Sequence, residues 1–213
     1  MILSSEEIKR RMHETSVPPR ERIVIVPILD PDRQLRPGNG SVDVRLGQRF
    51  WIPRRTKLEK LDHLNEDHLS RVSLYKEEHV VLVGDYFVLH PRQFVLGETL
   101  EWIHIPYNLA AYVIGRSSWG RDGLIIATAT GVHPNFSGIL ALEITNLGEI
   151  PVFLYPGSTI AQLFIHTLKG GVEGARSQSG NRGQTRPRSS DAIGADRAII
   201  RRIGKERGFE RKD

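Results

Sequence analysis

"YFVLHPRQFVLGETLEWIHIPYNLAAYVIG", residues 86–115, decides the fold class. Three runs rich in Val, Ile, Leu and aromatic residues are separated by "HPR" and "IPYN". Proline and asparagine in such positions end a strand and turn the chain. The same grammar extends in both directions. Upstream stand "RIVIVPIL" (22–29), "SVDVRLGQRF" (41–50) and "HVVLV" (79–83); downstream stand "GILALEITN" (138–146), "PVFLY" (151–155) and "STIAQLFIH" (158–166). "DPD", "RPGNG", "VGD", "HPNFSG", "NLGE" and "YPG" punctuate them. Many short strands with turn signals between them predict an all-β sandwich or barrel. Before the first strand, Ser4 or Ser5 precedes "EEIKRRM", with Glu7 three places after Ser4. This capping-box spacing predicts a short N-terminal helix ending near His13.

The chain has 213 residues, enough for one good core with a tail. We divide it into a β domain, residues 1–169, and a basic C-terminal arm, residues 170–213. The arm carries 11 Lys/Arg against 6 Asp/Glu, whereas the body holds 19 of each sign. A neutral body argues against a broad nucleic-acid-binding face, which needs many uncompensated cations. Gly, Ser and Arg dominate the first part of the arm, a composition that does not bury enough apolar surface to fold alone. "DRAIIRRIGKE" near its end reads as a short basic helix.

The absence of cysteine removes disulfides and thiolate zinc sites. No apolar run approaches the roughly 20 residues of a membrane span, and "MILSSEEIKRRM" is too charged for a signal peptide. A cytoplasmic protein is expected. Residues 56–79 are polar and read as a solvated insertion between strands; His63, His68 and His79 within it fit no metal-ligand spacing.

Two stretches carry chemistry. "GRSSWGRDGL", residues 115–124, packs two arginines, two serines and three glycines into ten positions. It reads as an anion-binding loop or as a surface turn with solvated arginines. In "GILALEITN" the alternation sets Leu140, Leu142 and Ile144 on one face and Ile139, Ala141, Glu143 and Thr145 on the other. Glu143 is then either a paired structural charge or a base with its pKa lifted by desolvation.

Together with "MILSSEEIKRRM", "GSVDVRLGQRFW", "NFSGILALEITN" and "YPGSTIAQLFIH", these stretches resemble the dCTP deaminase family, which shares its superfold with the trimeric dUTPases. The match runs in order over roughly residues 1–168. The resemblance implies a distorted jelly-roll β-sandwich assembled as a homotrimer, with interfacial active sites over which a flexible arm closes. It places Arg116, Ser117, Ser118 and Arg121 on the triphosphate of a nucleotide, with Mg²⁺ carried by the phosphates rather than by protein side chains. It makes Glu143 the general base, with Ser117 holding the attacking water and Arg121 orienting the site. The implied reaction is hydrolytic deamination of dCTP to dUTP and ammonia, without zinc, by a hydrolase acting on a cyclic amidine. Ala141 and the backbone of "ATATGVH" (127–133) fall at nucleotide-binding positions.

Two departures stand out. His133 occupies the place of a family aspartate that contacts the sugar 3′-hydroxyl and, in dUTPases, orients the hydrolytic water. The arm element "SQSGNRGQTRPRS" keeps Arg182 but has Ser177 and Gln178 where lysine and tyrosine are expected; Arg182, Gln184 and Arg186 are the substitute contacts. The alternatives are a dUTPase-type diphosphatase, alone or combined with deamination, and a nucleotide-sensing trimer.

Overall fold

The computed structural model describes residues 1–53, 62, 64, 76–127, 131–170 and 196–206. The chain divides into two compact units, one of Met1–Ile52 with Glu78–Pro187 and the other of Pro53–Glu77 with Arg188–Asp213.

The first unit opens with helix α1, Ser5–His13, where the sequence predicts it. Ser4 is the N-cap, its hydroxyl accepting from Glu7 N at 3.3 Å. The return half of the capping box is replaced: the Glu7 carboxylate takes Arg10 Nε at 2.6 Å and Arg11 Nε at 2.9 Å. Those contacts lie one turn along the helix, and they hold the Glu7 carboxyl down at about 2. Ile8, fully buried, fixes the helix to the sandwich.

Strands β1 (Val24–Val26), β2 (Val42–Arg45), β3 (Arg49–Pro53), β4 (Lys76–Val80), β5 (Phe87–Leu89) and β6 (Phe94–His104) follow, with the one-turn helix α2 (Pro31–Gln34) between β1 and β2. Next come β7 (Leu109–Gly115), the short helix α3 (Ser117–Arg121), β8 (Leu124–Ile126), β9 (Gly131–Val132), β10 (Ser137–Asn146), β11 (Val152–Leu154) and β12 (Thr159–Thr167). One sheet runs β4-β3-β6-β10-β8 with β1 also on β6; another runs β2-β12-β7-β9; β11 and β5 form a two-stranded ribbon. The central pairings β6/β10, β2/β12 and β7/β12 are antiparallel and join strands far apart in the chain, as a jelly-roll sandwich requires.

The buried side chains of the two larger sheets, among them Val42, Val44, Val95, Ile103, Val113, Leu142, Ile144, Leu163 and Ile165, belong to one core. The all-β reading holds, and the distorted jelly roll with its N-terminal helix is the fold. "HVVLV" differs from expectation, because β4 ends at Val80 and leaves Leu82 and Val83 exposed beyond it.

The run "SVDVRLGQRF" is continuous in sequence but divides between two sheets. β2 pairs with β12, β3 pairs with β6, and the corner between them is Leu46–Gln48. Gly47 makes the crossing possible. A Cβ there would lie 2.6 Å from Glu98 Cγ and 3.0 Å from Thr99 O, so only glycine lets the corner press onto β6. Its N–H donates to Glu98 O at 2.8 Å.

The described part of the second unit contains helix α4, Arg197–Glu206, inside the stretch expected to be a basic helix. His63 and His68 lie outside the described residues; His79 sits on β4 with its ring edge-on to Phe87 at 6.3 Å.

Candidate active site

α3 is a single turn, too short to persist alone, and its neighbours hold it. Its N-cap is Arg116, whose carbonyl accepts from Trp119 N at 3.1 Å and Gly120 N at 3.2 Å. Arg116 N in turn donates to Ile160 O on β12 at 3.2 Å, and the Trp119 indole donates to Thr159 O at 2.9 Å. Beyond the turn, Gly123 takes φ +83° and lies so close to Gly148 that a Cβ would meet its N at 2.7 Å. These anchors leave Ser117, Ser118 and Arg121 exposed, with hydroxyls and a guanidinium offered outward. Such a donor set suits an anion. Arg116 differs, being half-buried with its Nη1 2.5 Å from Asp43 Oδ2.

β8 leaves α3 and pairs with the end of β10. Ala127 N donates to Glu143 O at 2.8 Å. Along β10 burial alternates as predicted: Leu140, Leu142 and Ile144 are buried, while Ile139, Ala141, Glu143 and Thr145 are half-exposed on the opposite face. Among the described residues no hydrogen bond or ion pair to the Glu143 carboxylate is seen. Leu147 lies four positions beyond Glu143, and Leu147 N meets Gly123 O at 2.8 Å. That is roughly 13 Å of extended strand between the base candidate and the turn that follows α3.

His133 is exposed at the head of a turn, its carbonyl accepting from Phe136 N at 3.2 Å, with Asn135 at φ +60°. Ala141 faces β6 opposite Glu98. Residues 128–130 lie outside the described residues, as do Ser177, Gln178, Arg182, Gln184 and Arg186 of the arm. Among the described residues no three His, Asp or Glu side chains converge to cage a metal ion. The cationic and hydroxyl groups around α3 are likewise a poor cation cage, and they suit an ion carried by phosphates.

Sequence reasoning passed over a buried polar cluster beneath this loop. Asp43 Oδ1 accepts from Gln162 Nε2 at 3.0 Å, and Asp43 O accepts from Gln34 Nε2 at 3.2 Å. Gln34 also donates to Glu101 Oε1 at 3.0 Å, and Arg45 N donates to Glu101 Oε2 at 2.9 Å. The available signal was an aspartate between two valines in a strand buried on both faces, "VDV".

Comparison with known proteins bears on the family. Residues 2–168 match the family model of dCTP deaminase-like domains. The chain is 41% identical over 194 residues to the dCTP deaminase of Natronomonas pharaonis, covering 89% of this chain and 94% of that one. It is 41% identical over 169 residues to the dUMP-forming dCTP deaminase of Halobacterium salinarum, covering 79% and 81%. Among solved structures, the 2′-deoxycytidine 5′-triphosphate deaminase from Agrobacterium tumefaciens superposes with a TM-score of 0.55 at 22% identity, a likeness of fold. That alignment covers 77% of this chain and 46% of the other. The chain belongs to the dCTP deaminase-like family.

Proposed function

We propose that this chain hydrolytically deaminates dCTP, with Glu143 as the general base. The observation that carries the reading is the Glu143 carboxylate, half-exposed and without a partner among the described residues, on the sheet that the α3 loop adjoins. Glu143 takes a proton from a water held by Ser117, and the water oxygen bonds to C4 of cytosine. The proton passes to N3; the remaining hydroxyl proton then passes by way of Glu143 to the exocyclic amine as that C4–N bond breaks, so that C4=O forms and ammonia leaves. Arg121 favours the ionised carboxylate and, with Ser117, Ser118 and Arg116, holds the phosphate chain. Mg²⁺ bound through the phosphates would supply charge neutralisation. His133 and Ala141 lie beside the nucleoside.

The working form in this reading is a homotrimer, as the resemblance to the family implies. Among the described residues no helix is long and apolar enough to cross a membrane.

The relatives bear on the product. Those of Halobacterium salinarum and Methanobrevibacter smithii are named dUMP-forming. They move the reading from dUTP, expected from the sequence, to dUMP, with a second water cleaving the phosphate chain and releasing pyrophosphate. His133 favours the other outcome, a stop at dUTP, because imidazole is a poorer orienter of that water than carboxylate.

One incubation tests all of this: protein, Mg²⁺ and, in parallel, dCTP, CTP, dCMP and dUTP, with Glu143→Gln as control. Ammonia from dCTP and silence from the control support the deaminase. One pyrophosphate per ammonia gives dUMP; ammonia without pyrophosphate gives dUTP. Binding of dCTP without ammonia would leave a nucleotide sensor instead.

A further inference from the structure

Resting on that reading, we propose that Asp43 is a positioning residue for the phosphate chain, acting through Arg116. Asp43 stands on β2 between Val42 and Val44 and is itself 7% exposed. A carboxylate so placed is tolerated only when paired. Its two oxygens have separate duties. Oδ1 accepts from Gln162 Nε2, the residue directly across the β2/β12 ladder, while Oδ2 takes Arg116 Nη1. Gln162 Nε2 also reaches Ser41 Oγ at 3.4 Å, and Gln34 holds the Asp43 carbonyl, so side chain and backbone are both fixed.

Arg116 is the N-cap of α3 and immediately precedes the two exposed serines. A free arginine at this point would lose several rotatable bonds of freedom on gripping a ligand. Asp43 removes that freedom in advance, using one of the five guanidinium N–H groups. The side chain keeps 30% exposure, so the remaining donors meet solvent at the loop. The carboxylate is thus a fixed point in the core of the sandwich from which the cationic fork is aimed.

Asp43→Asn is close to isosteric and keeps an oxygen for Gln162, but it replaces the charged acceptor facing Arg116 with an amide. Binding of dCTP and dCMP is measured by calorimetry for the wild type, D43N, R116Q, the double variant and D43E, with a thermal midpoint for each. The expected result is a roughly ten-fold weaker Kd for dCTP in D43N, a smaller change for dCMP, and a double variant no weaker than R116Q alone. D43E should recover part of the loss. An unchanged ratio of dCTP to dCMP affinity with a lowered midpoint would show Asp43 to be structural only. Tighter dCTP binding in D43N would show that it merely neutralises Arg116. Either result overturns the inference and leaves the deaminase reading standing; a wild type that binds dCTP but releases no ammonia sinks the deaminase reading alone. A wild type that binds no triphosphate overturns both.

Discussion

Burial raises the Glu101 carboxyl to about 7, against the hydrogen bonds from Arg45 N and Gln34 and the Arg45 charge, which pull it down. Its unfolded value is near 4.5, so between pH 4.5 and 7 the native chain keeps a proton that the unfolded chain has released. Stability therefore falls as pH rises through that window, by up to about 3 kcal/mol, and is flat with respect to this group above and below it. Urea midpoints at pH 5, 6, 7 and 8 should show the decline in the wild type, and Glu101→Gln should flatten it. At Glu143 the expected effect is on activity and not on stability. Glu143→Gln removes no hydrogen bond described in the chain, so its urea midpoint should match the wild type while ammonia release falls by about 10²–10⁴. A lowered midpoint would return Glu143 to a structural role.

On the proposed reading, α3 and β10 divide function from stability. The loop keeps its shape by contacts at its edges, so changes there should reach the ligand. Gly123→Ala puts a Cβ against Gly148 N and strains a left-handed backbone. It should cost more than about 1 kcal/mol and weaken dCTP binding, read by urea midpoint and calorimetry together. Trp119→Phe loses the indole bond to Thr159 O, worth about 1 kcal/mol. On β10 the two faces should respond oppositely: Leu142→Ala, one residue from Glu143 and fully buried, should cost about 2–5 kcal/mol. Equal effects at Leu142 and Glu143 would contradict the alternation of the strand.

For the whole molecule, the proposed trimer predicts a solution mass by light scattering of three times the 24.1 kDa of one chain. Tyr112 and Ile114 on β7 and Ile125 on β8 are large apolar side chains, 47%, 50% and 40% exposed in the single chain. Ile114→Asp should shift the mass toward one chain and reduce dCTP turnover, since burying an unpaired carboxylate between copies is costly. A monomeric wild type with full turnover would remove the need for a second copy.

Read alone, the sequence points to an all-β sandwich or barrel, the capped first helix, the two faces of β10 and a donor-rich loop carrying Ser117, Ser118 and Arg121. Each of these rests on a local rule: turn residues between apolar runs, a side chain three places from its cap, a period of two, a cluster of donors. Tertiary structure alone decided that "SVDVRLGQRF" divides between two sheets at Gly47, because the close approach of β6 is invisible in either segment. It also decided the partners of the buried charges. Arg116 and Asp43 are 73 residues apart, and Gln34 and Glu101 are 67 apart. No periodicity encodes such pairs. Only the closing of β2 onto β12 and of α2 onto β6 brings them within hydrogen-bonding distance, where a carboxylate that has lost its water must take what donors the fold presents.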